Sequence, residues 1–576
     1  MSAPSEVGTV TTSPRVPGVA LLRRYRREWV RPDLVAGVVL AAILVPQGMA
    51  YAELAGLPAV TGLYTTIACL VGYAVMGPSR ILVLGPDSSV SPLIFAAIIP
   101  LGAATDPTTA IALAAMMALF VGAIEIGLGV AKLGFVADLL SKEVQVGYMN
   151  GLGITIIIGQ LPKLCGFSTD ADSFVEDVRA FWTDLDQTDA TTLAVGLGTL
   201  AVLLVLPRLT TKLPAILIAI VAATVVSAVL GLSSEGVATV GTLPQGLPTP
   251  GLPRVQWSDV GPLLIAALGI TLVSLTDTIA TSTSFAARRG EEVRPDQEMI
   301  GLGTANLAAG VFQGFAVSTS GSRTAVAEQS GAKSQVAGLV GAGLVGVLLL
   351  FLNGLLADLP QTALAAVVIT AALSLMDLTV LRRYFSVRRT AWALSLVATA
   401  GVVFLGVLEG ILIAIVLSIL LFFRRSWWPH GAVLGRLPDG TWHSVEDSPA
   451  AVEQPGVVVY RWEAPLFFAN SGMFQQQLRS LARGEQVRWV VLQCEAVTDI
   501  DVTAAEMLEQ TDVQLNEQGV HLAFVEMRSR LQDLVERYGL LETVDGSQFY
   551  PTIEAALAGI SAVDAGRAAD DLPPEP

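Results

Sequence analysis

The stretch FAVSTSGSRTAVAEQSG, Phe315–Gly331, settles what kind of chain this is. It lies inside a strongly apolar region, yet it carries Ser318, Thr319, Ser320, Ser322, Arg323, Thr324 and Glu328. A charged side chain at membrane depth costs roughly 2.5–3.5 kcal/mol on insertion scales, so it marks a solute path or a paired site. Phe315–Thr319 alternates like a short strand, Gly321 interrupts it, and Thr324–Gln329 reads as a short helix. A helix beginning near Ser320 aims free backbone N–H groups and its positive dipole end at whatever lies before it. The Arg323 guanidinium and neighbouring hydroxyls complete a small anion-binding cup.

The surroundings of this cup are membrane-like. Of 576 residues, 53% are hydrophobic and 15% charged. Soluble domains carry about 25% charged residues, so this chain lacks the polar surface to stay in solution and reads as a polytopic membrane protein in a lipid bilayer. The net charge of −16 argues against nucleic acid as a partner. Cys69, Cys165 and Cys494 are far apart and show neither a disulfide framework nor metal-ligand spacing. His430, His443 and His521 all follow the last apolar run, so any proton moved within the membrane must ride on carboxylates. There is no nucleophile–base pair, phosphate-binding glycine loop or metal-ligand set, so the sequence is not read as an enzyme or an ATP-driven pump, and no cofactor is expected. The first apolar run begins too late and is too long for a cleaved signal peptide, and reads as a retained span.

About fourteen apolar runs recur between Asp33 and Phe423, allowing about 20 residues for a full span and fewer for a broken one. Arg23, Arg24, Arg26, Arg27 and Arg31 precede the first and place the N-terminus in the cytoplasm. An even number of spans then puts the loops with Arg208 and Lys212, Arg288, Arg289 and Arg294, and Arg382, Arg383, Arg388 and Arg389 inside, with the C-terminus. The acidic loop with Asp170, Asp172, Glu176 and Asp177 falls outside. Two runs are broken alike. The third, ILVLGPDSSVSPL (Ile81–Leu93), is a short strand, then Gly85-Pro86, then a short helix with Ser88, Ser89 and Ser91; the tenth is Phe315–Gly331. Paired interruptions in two halves point to a seven-plus-seven inverted repeat, with a binding site between facing half-helix N-termini. Irregular backbone is tolerated at that depth where it lines a cavity. The alternative is a pair of re-entrant packing elements without a ligand, which leaves Arg323 needing another partner.

The composition changes after Phe423. Trp427, Trp428, Pro429 and His430 read as an interfacial girdle leading into a linker. GVVVYRW (Gly456–Trp462), PLFFAN (Pro465–Asn470), VRWVVLQC (Val487–Cys494) and HLAFVEM (His521–Met527) read as strands alternating with helices, a small α/β domain. The expected organisation is an N-terminal cytoplasmic segment (1–32), a transmembrane domain (33–424), a linker (425–455), the α/β domain (456–562) and a disordered tail (563–576).

With these residues in view, the chain resembles the SulP, or sulfate permease, family of anion transporters. DLVAGVVLAAILVPQGMAYAELAGLPAVTGLY (Asp33–Tyr64) resembles the family's first-span signature, GPSRILVLGPDSS (Gly77–Ser89) its approach to the third span, and GSRTAVAEQSGAKS (Gly321–Ser334) its tenth-span motif. The C-terminal domain resembles a STAS domain. The resemblance implies a substrate-carrying core domain that slides against a gate domain, and a homodimer. By motif position it implies that Gln47 and Tyr51 face the anion, that Ser322 and Arg323 are the anion-contacting pair, and that Asp277 with Thr281 occupies a position that binds a cation in sodium-coupled relatives. Asp277 is read either in that role or as a salt-bridge partner of Arg323. It also implies that Asp501-Val502-Thr503-Ala504 lies where related STAS domains carry a phosphorylatable loop, with Thr503 a regulatory phosphosite and Asp501 alternatively a helix cap.

Asp87 departs from the small or apolar residue that many relatives carry there. A carboxylate at an anion site repels the substrate unless it binds a proton. Asp87 is therefore expected either to take up a proton as the anion binds, or to cap the half-helix; Glu53 and Glu125 are alternative proton carriers. The expected anion site comprises Gln47, Tyr51, Asp87, Ser88, Ser320, Gly321, Ser322 and Arg323. Asp277, Thr281 and Asp87 are the coupling-ion candidates. The expected activity is secondary transport of a small inorganic oxyanion, sulfate first, coupled to H+, by an elevator-like movement in the plasma membrane. The alternatives are Na+-coupled bicarbonate uptake and an anion-sensing regulator that acts through a cytoplasmic partner of the STAS-like domain.

Overall fold

In a computed structural model the described residues are 16–104, 106–138, 140–169, 173–210, 214–484, 486–540 and 546–570. They form two compact units, one ending at Ser418 and one beginning at Ile419.

The first unit is helical. Its apolar segments are α1 (Val30–Leu54), α2 (Ala59–Met76), α3 (Ser91–Ile98), α4 (Pro107–Val130), α5 (Lys142–Cys165), α6 (Ala190–Leu209) and α7 (Ala215–Leu230), then α8 (Trp257–Ala287), α9 (Pro295–Val311), α10 (Gly321–Gln329), α11 (Val336–Phe351), α12 (Gln361–Leu375), α13 (Arg389–Leu405) and the first part, through Ser418, of α14 (Val407–Trp427). Among the described residues eight helical segments are long and apolar enough to cross a membrane, and α3, α7, α11 and α13 are shorter apolar helices. Between α2 and α3 lies strand β1 (Leu84–Gly85), and between α9 and α10 strand β2 (Ser318–Thr319). The two broken runs expected from the sequence are therefore both strand-then-short-helix elements.

Local chemistry sets the helix starts. Asp106 caps α4 by accepting from Thr108 and Thr109 N–H, each at 3.1 Å, with Pro107 at the first position, where its missing N–H costs nothing. Asp189 caps α6 through Thr192 N–H at 2.6 Å. One bundle joins α1 to α2 and α11, and α9 to α2 and α4, with α8 on α4; a second joins α5 to α12 and α13, and α6 to α7 and α12. Small residues let the first bundle close tightly. A Cβ on Gly122 would sit 2.6 Å from the Gly303 carbonyl oxygen, and one on Gly303 2.7 Å from that of Gly122, so α4 and α9 touch backbone to backbone.

The second unit is a six-stranded sheet in the order β4–β3–β5–β6–β7–β8: β3 (Gly431–Arg436), β4 (Trp442–Ser444), β5 (Val457–Trp462), β6 (Trp489–Gln493), β7 (His521–Val525) and β8 (Phe549–Tyr550). Strands β5 to β8 run parallel, and β3 is antiparallel to both its neighbours. Trp462, Leu492 and Phe524 meet α15 (Ser471–Ala482), α16 (Val502–Glu517) and α17 (Ser529–Arg537) on one face; Val459, Val491 and Val525 meet α18 (Ile553–Asp570) on the other. A parallel sheet needs both faces covered, which explains the unbroken apolar runs of its strands.

Three sequence expectations are corrected here. The stretch 425–455 is not a linker: α14 runs to Trp427, and β3 and β4 belong to the sheet. GAVLGR and WHS are too short to stand out, and the Pro438-Asp439-Gly440 turn between them resembles loop sequence. PLFFAN is a turn, not a strand, because Asn470 donates to the Pro465 carbonyl at 2.8 Å and accepts from Phe467 N–H at 3.0 Å. The tail expected from 563 is helical to Asp570, in keeping with its alanine content; 571–576, like 1–15, lie outside the described residues.

Candidate functional site

The two interruptions meet. Strands β1 and β2 pair antiparallel, Leu84 opposite Thr319 and Gly85 opposite Ser318. Val83 ties the junction on both sides: its carbonyl accepts from Ser320 N–H at 3.1 Å and its N–H donates to Thr324 Oγ1 at 3.1 Å. Both short helices thus begin at one small two-stranded ribbon. Ser320 caps α10, its hydroxyl accepting from Arg323 N–H at 3.4 Å and lying 3.1 Å from Ser322 Oγ.

Arg323 is 1% exposed. Its Nη2 lies 3.5 Å from Asp87 Oδ2, and none of its three guanidinium nitrogens makes a hydrogen bond among the described residues. At that separation the gross attraction is about 5 kcal/mol for an effective dielectric constant of about 20. Desolvation offsets much of this, so the pair holds charge in place rather than adding stability. Gly85 makes room for it: a Cβ there would sit 2.8 Å from Arg323 Nη1. The other carboxylate oxygen of Asp87 accepts from Ser89 N–H at 3.0 Å and Ser89 Oγ at 2.9 Å, and its carbonyl accepts from Ser91 N–H at 3.0 Å. Asp87 therefore does not cap α3, whose N-cap is Val90 with no side-chain cap: its bonds to Ser89 close the turn before the helix, and its other oxygen pairs with Arg323.

A cavity of about 570 Å³ opens beside the ribbon. One wall carries Gln47, Tyr51, Asp87, Ser88, Asp277, Thr281, Ser320, Gly321 and Ser322. The facing wall comes from α5, α6, α7 and α12, with Gln145, Met149, Leu203, Ile216, Thr370 and Ser374. Gln47 and Tyr51 share a face of α1 and Asp277 and Thr281 one of α8, each pair four residues apart. Gln47 Oε1 is buried without a hydrogen-bond partner among the described residues. Of the residues expected at the anion site, only Arg323 is absent from this wall: it lies behind the ribbon, and its charge reaches the cavity past Asp87. The expected alternative of an Asp277–Arg323 bridge is also corrected. The ribbon presents Asp87 to Arg323, whereas α8 puts Asp277 on the cavity wall. Sequence reasoning missed Thr319, Gln145, Thr370 and Ser374; Thr319 lies within the stretch quoted first, but single hydroxyls and amides on the opposite bundle carry no local signal.

In the second unit Asp501 caps α16, accepting from Ala504 N–H at 2.8 Å, and its other oxygen accepts from Phe468 N–H at 2.8 Å. Thr503 is exposed on the first turn.

Residues 30–399 match the sulfate permease family, and residues 448–556 match the STAS domain. The chain belongs to the sulfate permease family. This sulfate permease family member is 40% identical to a probable sulfate transporter of Mycobacterium tuberculosis over 96% of this chain and 99% of that one. It is 30% identical to sulfate transporter 4.1, chloroplastic, of Arabidopsis thaliana over 93% and 81%. Its fold matches the murine solute carrier 26 family member A9, an anion transporter in the inward-facing state, with a TM-score of 0.86 at 24% identity over 97% and 96% of the two chains. The transmembrane domain of a cyanobacterium bicarbonate transporter matches with a TM-score of 0.60 at 23% identity, over 69% of this chain and 98% of that one. The sulfate permease family is one of transmembrane anion transporters with a C-terminal STAS domain.

Proposed function

We propose that this protein is a secondary transporter of sulfate, driven by protons, in the plasma membrane. The observation that supports this most is the junction itself, where two short helices and their hydroxyls meet one cavity, with a buried guanidinium behind Asp87 that makes no hydrogen bond among the described residues. Asp87 balances Arg323. A proton on Asp87 removes that balance and leaves the guanidinium to attract a dianion, whose oxygens take the Ser88, Ser320 and Ser322 groups. Anion and proton then bind together, which is symport. Gln47 and Tyr51 close the wall on α1.

The two walls of the cavity belong to different helix bundles. Movement of the ribbon-bearing bundle along the other would carry the bound anion across, an elevator-like step. The basic loops favour cytoplasmic termini by the positive-inside rule, and the opposing-wall residues lie near the helix ends that would then face the cytoplasm. A homodimer, and a cytoplasmic partner reading the Thr503 surface, belong to the same proposal.

Asp277 and Thr281 on the cavity wall, with no ion pair at Asp277 among the described residues, favour one second reading: a coupling Na+ held there during bicarbonate uptake. Proteoliposome uptake separates the two. Labelled sulfate accumulating under an inward proton gradient supports the first. Bicarbonate uptake driven by sodium and abolished by Asp277→Asn supports the second.

A further inference from the structure

Glu125 on α4 is fully buried, at 0% exposure, and does not touch the cavity. Its Oε1 accepts from the Ser274 hydroxyl of α8 at 2.7 Å, and its Oε2 accepts from the Asn306 Nδ2 of α9 at 2.8 Å. Asn306 in turn holds the backbone that enters β2: its Oδ1 accepts from Val317 N–H at 2.8 Å, and its Nδ2 also reaches the Val317 carbonyl at 3.4 Å. One buried carboxyl is therefore joined, through a single amide, to the strand that carries Ser318 and Thr319.

Among the described residues, no charged group faces it from the helices packed on α4. Helix α3 has none. On α8 Asp259 lies in the first turn and Asp277 faces the cavity. On α9 Asp296 accepts from Gly134 N–H at 3.0 Å and Glu298 from the Tyr73 hydroxyl at 2.7 Å. Asp87 and Arg323 are engaged with each other.

The hydrogen-bond arrangement accommodates a proton. The Ser274 hydroxyl has one hydrogen and two acceptors in reach, Glu125 at 2.7 Å and the Thr271 carbonyl at 3.0 Å. With Glu125 charged, Ser274 donates to it. With Glu125 protonated, the carboxyl donates to Ser274 Oγ and the Ser274 hydroxyl turns to Thr271. Both states leave Glu125 and Ser274 fully bonded, and Asn306 donates to Oε2 in both. The difference falls on Asn306, whose bond to a charged oxygen is roughly twice as strong as to a neutral one.

Resting on the proton-driven reading above, we infer that Glu125 is a second proton-binding carboxyl of the transport cycle, and that Asn306 is the positioning residue that passes its protonation state to β2. Glu125 is shut away in the conformation described, so its proton is gained or lost at another stage of the cycle. Such alternating access is what coupling requires.

Glu125→Gln tests this with little structural disturbance, because the glutamine amide donates to Ser274 as the protonated acid does and its carbonyl accepts from Asn306. Two measurements on the purified full-length protein decide. In acid-minus-alkaline infrared difference spectra, the wild type is expected to show a protonated-carboxyl band that Glu125→Gln lacks. In proteoliposomes, Glu125→Gln is expected to keep sulfate equilibrium exchange at fixed pH and to lose pH-driven accumulation, with Glu125→Asp restoring part of it. Identical carboxyl bands, or unchanged pH-driven accumulation in Glu125→Gln, overturn the inference. A wild type that exchanges no sulfate overturns the functional reading instead, and the carboxyl band still decides whether Glu125 binds the proton.

Discussion

The Arg323 guanidinium lies 3.5 Å from the Asp87 carboxylate at the junction of the two broken helices, with side chains 1% and 12% exposed. A buried pair of this kind is neutral as a unit, and the loss of either charge releases the other. That property distinguishes this site from a bare arginine cup and sets the expectations that follow.

Asp87→Asn keeps an oxygen for the Ser89 bonds but removes the charge opposite Arg323. In the empty protein this is expected to cost roughly 3–5 kcal/mol, the penalty of a buried unpaired charge. Added sulfate should recover it, so anion-induced thermal stabilisation grows relative to wild type while pH-driven accumulation is lost. Thermal unfolding with and without sulfate checks this; equal sulfate-induced shifts in the two proteins would contradict it.

Gly85→Ala places a methyl group 2.8 Å from Arg323 Nη1. The guanidinium must move away from Asp87, while the ribbon itself keeps its backbone bonds. The expected result is a folded protein whose sulfate affinity is weaker by about tenfold, the equivalent of ~1.4 kcal/mol. Direct binding measurements on purified protein check it, and an unchanged Kd would show that Gly85 is not needed for the pair.

Asp512 gives a pH dependence confined to the second unit. Its Oδ2 accepts from Asn516 at 3.0 Å, its Oδ1 has no partner among the described residues, and burial pushes its carboxyl from 3.8 up to about 6. An acid that holds its proton more tightly folded than unfolded favours the folded state at low pH. The penalty for ionising it in place is absent below pH ~4, grows between about 4 and 6, and is complete above. Asp512→Asn is therefore expected to stabilise this unit at neutral pH by roughly 1–2 kcal/mol, discounted for solvent screening, and to have no effect near pH 4. Unfolding curves of the full-length protein across that range test it; a gain that is the same at every pH would point to packing instead.

Much of this arrangement is legible in the chain. Gly85-Pro86 and Ser320-Gly321 are strong local punctuation within apolar runs, so both interruptions show before any coordinates, and the hydroxyls around them identify polar walls. What local pattern does not reveal is pairing across the chain. Asp87, Asp277 and Glu125 are each a lone acid in an apolar run, and only the fold sends one to Arg323, one to the cavity and one to Asn306. The start of the sheet at Gly431 was hidden for a different reason: β3 and β4 are short and joined by a turn, and their apolar alternation is too brief to register against the tryptophan-rich boundary before them.

The most direct measurement is uptake of labelled sulfate into proteoliposomes under an inward proton gradient, by wild type and by Arg323→Ala, with the Asp87→Asn/Arg323→Gln double variant as a folded control that removes both charges. Saturable uptake by the wild type, lost in both variants although the double variant stays folded, is the predicted result. Sulfate uptake by Arg323→Ala at the wild-type rate would contradict an anion site built on this guanidinium.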